Sequence, residues 1–80
     1  MTGAAFDPIE QTIEVQAAGL NLDCGDDRAV FRLRVGQVLR RMRRDVIVGH
    51  VRRLGGEVEG NCAHSHAARA LADAWISRHG

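Results

Sequence analysis

The chain has 80 residues, of which 45% are hydrophobic and 26% are charged. This length and composition fit one small folded domain and exclude a second core or a wholly disordered protein. No apolar stretch approaches the roughly 20 residues that cross a bilayer, and no basic start leads into an apolar run. The sequence therefore predicts a soluble, cytoplasmic protein without a membrane partner, whose two cysteines are free thiols.

The charge is distributed unevenly along the chain, although its net value is only +1. Residues 1–27 contain six acidic residues and no arginine, whereas residues 28–53 contain nine arginines and one aspartate. The remainder has two arginines and three acidic residues. Such polarity is typical of an electrostatic binding surface.

Two segments, residues 13–17 and 20–24, alternate strictly between apolar and polar residues. This period of two predicts a pair of half-buried strands. A two-residue turn at Ala18-Gly19 would place Val15 opposite Leu22 and bring the apolar side chains of both strands to one face.

A third segment, residues 31–35, alternates in the same way. A loop over residues 25–28 would pair Phe31 with Leu22 and continue the apolar face. We therefore predict a three-stranded antiparallel meander over the first half of the chain.

A helical alternative exists for the start of the chain. Asp7 could cap a helix, with Pro8 at its first position and Glu10 at its third. One face of that helix would then carry Ile9, Ile13, Ala17 and Leu20. Because the helix leaves the apolar character of Val15 and Leu22 unexplained, we favour the strands, and an all-α fold of three helices is the alternative.

From Gly36 the apolar spacing becomes helical, through Val38, Leu39, Met42 and Val46. This predicts an amphipathic helix that ends at Leu54, because Gly55-Gly56 supplies the left-handed residue that stops helices. Beyond Val46 the stripe shifts to Ile47, Val51 and Leu54, which indicates a bend near Gly49 or a strand over residues 46–51.

A short link around Val58 is followed by Asn61, a good N-cap for a last helix that ends near Arg78. Its apolar face would carry Ala67, Ala70, Leu71, Ala74 and Trp75. The predicted fold is α+β, with two helices covering one face of the meander in a single domain over residues 1–80. Residues 1–6 would form a loose arm.

Arginines form the strongest candidate binding site. A guanidinium group can grip a phosphate or a carboxylate with paired hydrogen bonds. In the predicted helix Arg41 and Arg44 share a solvent face. The alternative is an ordinary solvated helix face. The predicted partner-binding arginines are Arg40, Arg41, Arg43, Arg44, Arg52 and Arg53.

Acidic residues form a second candidate surface. In the predicted sheet Glu14 lies opposite Asp23 on the face away from the helices, an unfavourable pair that a cationic partner would relieve. Asp26 and Asp27 at a loop tip would extend this negative patch. A polar sheet face of this kind is also common without any partner.

Neither a metal site nor a catalytic site is predicted. Cys62, His64 and His66 stand close together, with Cys24, His50 and His79 elsewhere, but their spacing matches no common zinc pattern. Neighbouring residues of a helix diverge by about 100°, so His64, Ser65 and His66 cannot assemble a nucleophile with its base. The glycines fit no phosphate-binding or dinucleotide motif, and we expect a non-enzymatic protein without a cofactor.

In its small size, charge polarity and lack of catalytic motifs, the chain resembles the inhibitor proteins of phages and mobile elements, of which anti-CRISPR proteins are the best-known group. The resemblance implies a protein-binding inhibitor or adaptor that occludes a larger protein or ribonucleoprotein complex through a charged surface. The alternative from the residues themselves is a small nucleic-acid-binding regulator that contacts the phosphate backbone through the arginines.

Overall fold

The structure, a computed structural model, describes residues 8–79 and, at Pro8 and His79, the backbone alone. It contains four helices: α1 (Pro8–Gln16), α2 (Gly25–Val38), α3 (Arg44–Arg53) and α4 (His64–His79). Helices α2 and α3 both pack along α4, and α1 packs on α2. The predicted arm over residues 1–6 and the predicted cap Asp7 lie outside the described residues.

The predicted meander is wrong, because residues 8–79 contain no β-strand and the fold is all-α. The helical alternative for the first segment is the one that the structure adopts, with four helices rather than three. Ile13 is completely buried, and Ile9, Ala17 and Leu20 pack against the core around it. The alternation was misleading because Val15 is 61% exposed and therefore contributes nothing to an apolar face. Gly19, at φ 79°, follows the end of α1 as a left-handed residue instead of turning a hairpin.

The predicted third strand lies inside α2. Phe31 and Val35 are fully buried at helical spacing, and Leu39 continues their stripe into the following turn. Leu33, which the strand would have placed on the apolar face with Phe31, is instead 64% exposed. The predicted helix over residues 36–54 therefore starts earlier, at Gly25, and does not run through to Leu54.

Helices α2 and α3 are separated by a turn over residues 39–43, where the sequence had predicted one continuous helix. The reason is geometric. At 100° per residue, the side chains of Val35 and Val51 in one straight helix would point about 160° apart. Both are fully buried in the structure, and the turn is what allows both to face the core. The predicted strand over residues 46–51 is likewise absent, and Gly49 lies within α3.

The end of α3 and most of α4 agree with the sequence. Leu54 caps α3, and Gly55 follows it at φ 87°. Helix α4 begins two residues later than predicted: Ala63 rather than Asn61 accepts its first hydrogen bond, from Ala67. Four alanines are buried on α4, and their small size lets two helices approach it closely; they are Ala67, Ala68, Ala72 and Ala74.

Two further contacts join the helices to α4. The rings of Phe31 and Trp75 pack with centroids 5.5 Å apart and tilted by 44°. Nearby, Arg32 Nε donates to Asp73 Oδ1 over 2.7 Å, an ion pair between α2 and α4. Both rings are buried in the core.

Both cysteines are free thiols, Cys24 exposed and Cys62 half-buried. Over the described part of the chain, each helix is too short or too polar to span a membrane.

Candidate functional site

Four arginines surround the beginning of α3. Arg40 and Arg41 lie in the turn after α2, Arg43 is the residue before α3, and Arg44 is its first residue. All four are exposed. The sequence had indicated that Arg41 and Arg44 share a face of one continuous helix. Because the turn interrupts that helix, they instead lie on either side of the residue that precedes α3.

The other two predicted arginines lie in the last turn of α3, about 13 Å from its start by the rise of a helix. Arg52 donates to the carbonyl oxygen of Val58 over 3.3 Å and so helps to hold the link to α4. Arg53 is exposed. We call the whole set the arginine surface: Arg40, Arg41, Arg43, Arg44, Arg52 and Arg53.

Several of these guanidinium groups have little to bind within the protein. Arg40, Arg41 and Arg53 make no side-chain hydrogen bond or ion pair with any residue that the structure describes. Arg43 reaches Asp45 at 3.3 Å, but both side chains are mostly exposed, at 81% and 66%. Exposed pairs of this kind are worth at most about 1 kcal/mol and exchange easily with other partners.

The start of α3 has an electrostatic arrangement that opposes its own stability. A helix N-terminus carries a partial positive charge and favours acidic residues, as α2 shows with Asp26 and Asp27 in its first turn. Helix α3 has a single acidic residue, Asp45, in its first turn, whereas Arg43 stands at its N-cap without a side-chain cap hydrogen bond and Arg44 is its first residue. The first N–H groups of α3 therefore point out of the helix end among cationic side chains. An anion bound there would accept hydrogen bonds from these N–H groups and would also pair with the cations.

Two hydrogen bonds fix the turn that carries the arginines. His64 Nε2 donates to the carbonyl oxygen of Met42 over 2.7 Å, and Arg44 Nη1 donates to the carbonyl oxygen of Cys62 over 3.1 Å. Both bonds tie the beginning of α3 to the residues around the start of α4. His64, singled out in the sequence as a candidate metal ligand, thus has a structural partner instead.

The outward side of α3 between its arginines carries small residues. Val46 is 40% exposed, and a Cβ added at Gly49 would meet nothing within 4 Å. The sequence had placed Val46 on the apolar face, so that assignment is wrong. An exposed valine and a glycine leave room for a large surface to approach the helix along its length.

The acidic candidates do not form the predicted sheet face. Glu14 lies exposed on α1, whereas Asp23 and Asp26 lie exposed around the start of α2. Asp27 accepts a 2.7 Å hydrogen bond from the backbone N–H of Asn21. The three aspartates are separated from the four arginines of residues 40–44 by the length of α2, about 20 Å. A role for the four acidic residues in partner binding stays a prediction.

The residues considered for metal binding are not brought together. No three His, Cys, Asp or Glu side chains lie close enough to hold an ion in the part of the chain that the structure describes. Comparisons with protein-family models, curated proteins and solved structures found no match.

Proposed function

We propose that the protein binds nucleic acid through its arginine surface, mainly by contacts to backbone phosphates. The proposal is supported by four exposed arginines within residues 40–44, of which Arg43 and Arg44 occupy the N-cap and the first position of α3, where the helix dipole disfavours cations. Arg40 and Arg41 have no side-chain partner among the described residues, and Arg43 stands where a helix disfavours a cation, so this group fits a role in binding an anion outside the protein.

Phosphate is the anion that suits this arrangement. The planar guanidinium group pairs its N–H groups with two phosphate oxygens, and the N–H groups at a helix N-terminus add to the attraction. Arg53, at the far end of α3, is about 13 Å away, so a ligand that contacts both ends must carry several negative charges in a row. A nucleic-acid backbone has this spacing of charge.

Contacts to the bases are expected to be few. Phe31 and Trp75, the aromatic residues within residues 8–79, are buried and cannot stack on bases. Binding should therefore show little sequence preference and should favour a duplex, whose phosphates are regularly spaced, over an unstructured single strand.

Affinity for a labelled DNA duplex of about two helical turns, measured by fluorescence anisotropy in low salt, tests this proposal. We expect the double variant Arg41→Gln/Arg43→Gln to bind at least about tenfold more weakly, because two phosphate contacts are removed. The matched control is Arg69→Gln/Arg78→Gln, which removes the same charge from exposed positions of α4 outside the arginine surface.

Equal weakening by the two double variants would contradict the proposal, because it would attribute binding to net charge rather than to the beginning of α3. Absence of binding by the unaltered protein in low salt would also contradict it. In that case the inhibitor hypothesis is favoured. It predicts that a pull-down from nuclease-treated bacterial lysate recovers a defined protein complex.

A further inference from the structure

Helix α2 has an outer face that none of the other three described helices covers. Phe31 and Val35 point into the core, and on a helical projection Leu33 lies almost opposite to them. Leu33 is 64% exposed and Val30 is 38% exposed. The remaining members of the face lie within about 60° of Leu33 around the helix. The outer face of α2 comprises Asp26, Ala29, Val30, Leu33, Gly36 and Gln37.

The two sides of this face are closed off by neighbouring elements. On one side Arg34 Nη1 donates to the carbonyl oxygens of Gln16 and Ala18, both over 3.3 Å, which attaches α2 to the end of α1. On the other side Arg32 binds Asp73 of α4. What lies between is a narrow exposed strip, apolar in its middle.

The strip carries opposite charges at its two ends. Asp26 stands in the first turn of α2, and its side chain makes no hydrogen bond or ion pair with any described residue. Beyond the other end, the N–H of Arg40 bonds to the carbonyl oxygen of Gln37 over 3.4 Å, so the chain is still turning about the axis of α2. Arg40 therefore continues the strip about one turn past Gly36.

We propose that a second copy of this chain covers the outer face, with the two α2 helices antiparallel about a twofold axis at Leu33. Asp26 and Arg40 are each seven residues from Leu33, so in this arrangement Asp26 of each copy meets Arg40 of the other. A parallel arrangement would bring like charges together at both ends instead. Charge complementarity thus selects the antiparallel pair, and such a self-complementary contact is the usual form of a symmetric dimer.

The apolar middle of the strip fits the same arrangement. Val30 and Gly36 lie on opposite sides of Leu33 around the helix, and in the antiparallel pair Val30 shares its side of the contact with Gln37 of the other copy. Gly36 shares the other side with Ala29 of the other copy, and a Cβ at Gly36 would meet nothing within 4 Å. Ala29 is also small, and small residues at the contact let two helix axes approach to the short end of their usual 8–10 Å separation.

This inference does not depend on nucleic-acid binding, because it concerns a different face. In the dimer Arg40 belongs to the contact between copies, and Arg41 and Arg43 remain for phosphate. Two copies would present two arginine surfaces on one particle.

Analytical ultracentrifugation of the full chain, without nucleic acid and over a wide range of concentration, tests the proposal. We expect a reversible dimer, and we expect Leu33→Gln to weaken it at least about tenfold, because the central apolar contact is replaced by a polar one. Leu33 is exposed, so the variant should fold normally, which a circular dichroism melt would verify. Val46→Gln, on the exposed side of α3, is the control and should leave the dimer unchanged.

Charge reversal tests the orientation. Asp26→Arg and Arg40→Asp should each weaken the dimer, and the double variant should restore it, because the opposite charges again meet across the twofold axis. A second measurement uses Leu33→Cys in a Cys24→Ser background, which should form a disulfide-linked dimer under mild oxidation.

If the unaltered chain stays monomeric at all concentrations, the proposal is overturned. The outer face of α2 would then be a candidate contact for a partner of different sequence. A dimer that Leu33→Gln does not weaken would also overturn it. If the double charge reversal fails to restore association and the Leu33→Cys variant fails to cross-link, the antiparallel arrangement is wrong.

Discussion

Two glycines show how local surroundings decide the effect of one added methyl group. A Cβ at Gly56 would lie 2.9 Å from the side chain of Val51 and 3.0 Å from that of Ala74, whereas one at Gly49 meets nothing within 4 Å. We expect Gly56→Ala to lower the free energy of unfolding by about 1–3 kcal/mol through overpacking. Gly49→Ala should raise it by about 0.5–1 kcal/mol, because alanine favours the helix. Urea unfolding of both variants measures these changes in the free energy of unfolding. If both variants change it in the same direction, the packing described here is contradicted.

The hydrogen bond of His64 gives a second prediction at the scale of the residue. His64→Ala removes the donor to the half-buried carbonyl oxygen of Met42 and should lower the free energy of unfolding by about 1–2 kcal/mol. His66→Ala is the matched control, since His66 is exposed, and should change it by less than about 0.5 kcal/mol. Chemical denaturation of the two variants makes the comparison. If both lose the same stability, the turn is not held by His64.

At the scale of the element, substitutions at the two ends of α3 should have opposite effects on stability but the same effect on duplex binding. Arg43→Ser supplies a side-chain cap and removes a cation from the N-terminus, so it should stabilise the protein by about 0.5–1.5 kcal/mol. Arg53→Ser removes a cation from the C-terminal turn, where cations are favourable, and should destabilise it by about 0.3–1 kcal/mol. Both variants should bind the duplex more weakly. Thermal unfolding and anisotropy together test this, and a destabilised Arg43→Ser would show that the helix dipole is not decisive here.

The elements also show which features the sequence could predict. The end of α3 was predictable, because Gly55 marks it and Ile47 and Val51 repeat at helical spacing. The first half was not, because Val15 and Leu33 are apolar but exposed, and a pattern of residue types cannot distinguish an exposed valine from a buried one. The turn over residues 39–43 contains neither glycine nor proline, and packing of α2 and α3 along α4 determines it. The sequence itself shows four arginines within residues 40–44, but it did not predict that they lie in and beside a turn at a helix end.

At the scale of the whole molecule, charge is separated along α2, with aspartates at its start and arginines beyond its end. This separation lets one end attract phosphates while the other does not, and it fixes the orientation of two copies in the proposed dimer. The salt dependence of duplex binding is the most direct measure of how many phosphates the arginine surface contacts. Each phosphate contact contributes about −0.9 to the slope of log K against log salt concentration. We predict a steep slope for the unaltered protein, shallower by about 2 in Arg41→Gln/Arg43→Gln and unchanged in Arg69→Gln/Arg78→Gln. A slope near zero, or one that both double variants change equally, would contradict the claim that the arginine surface binds phosphates.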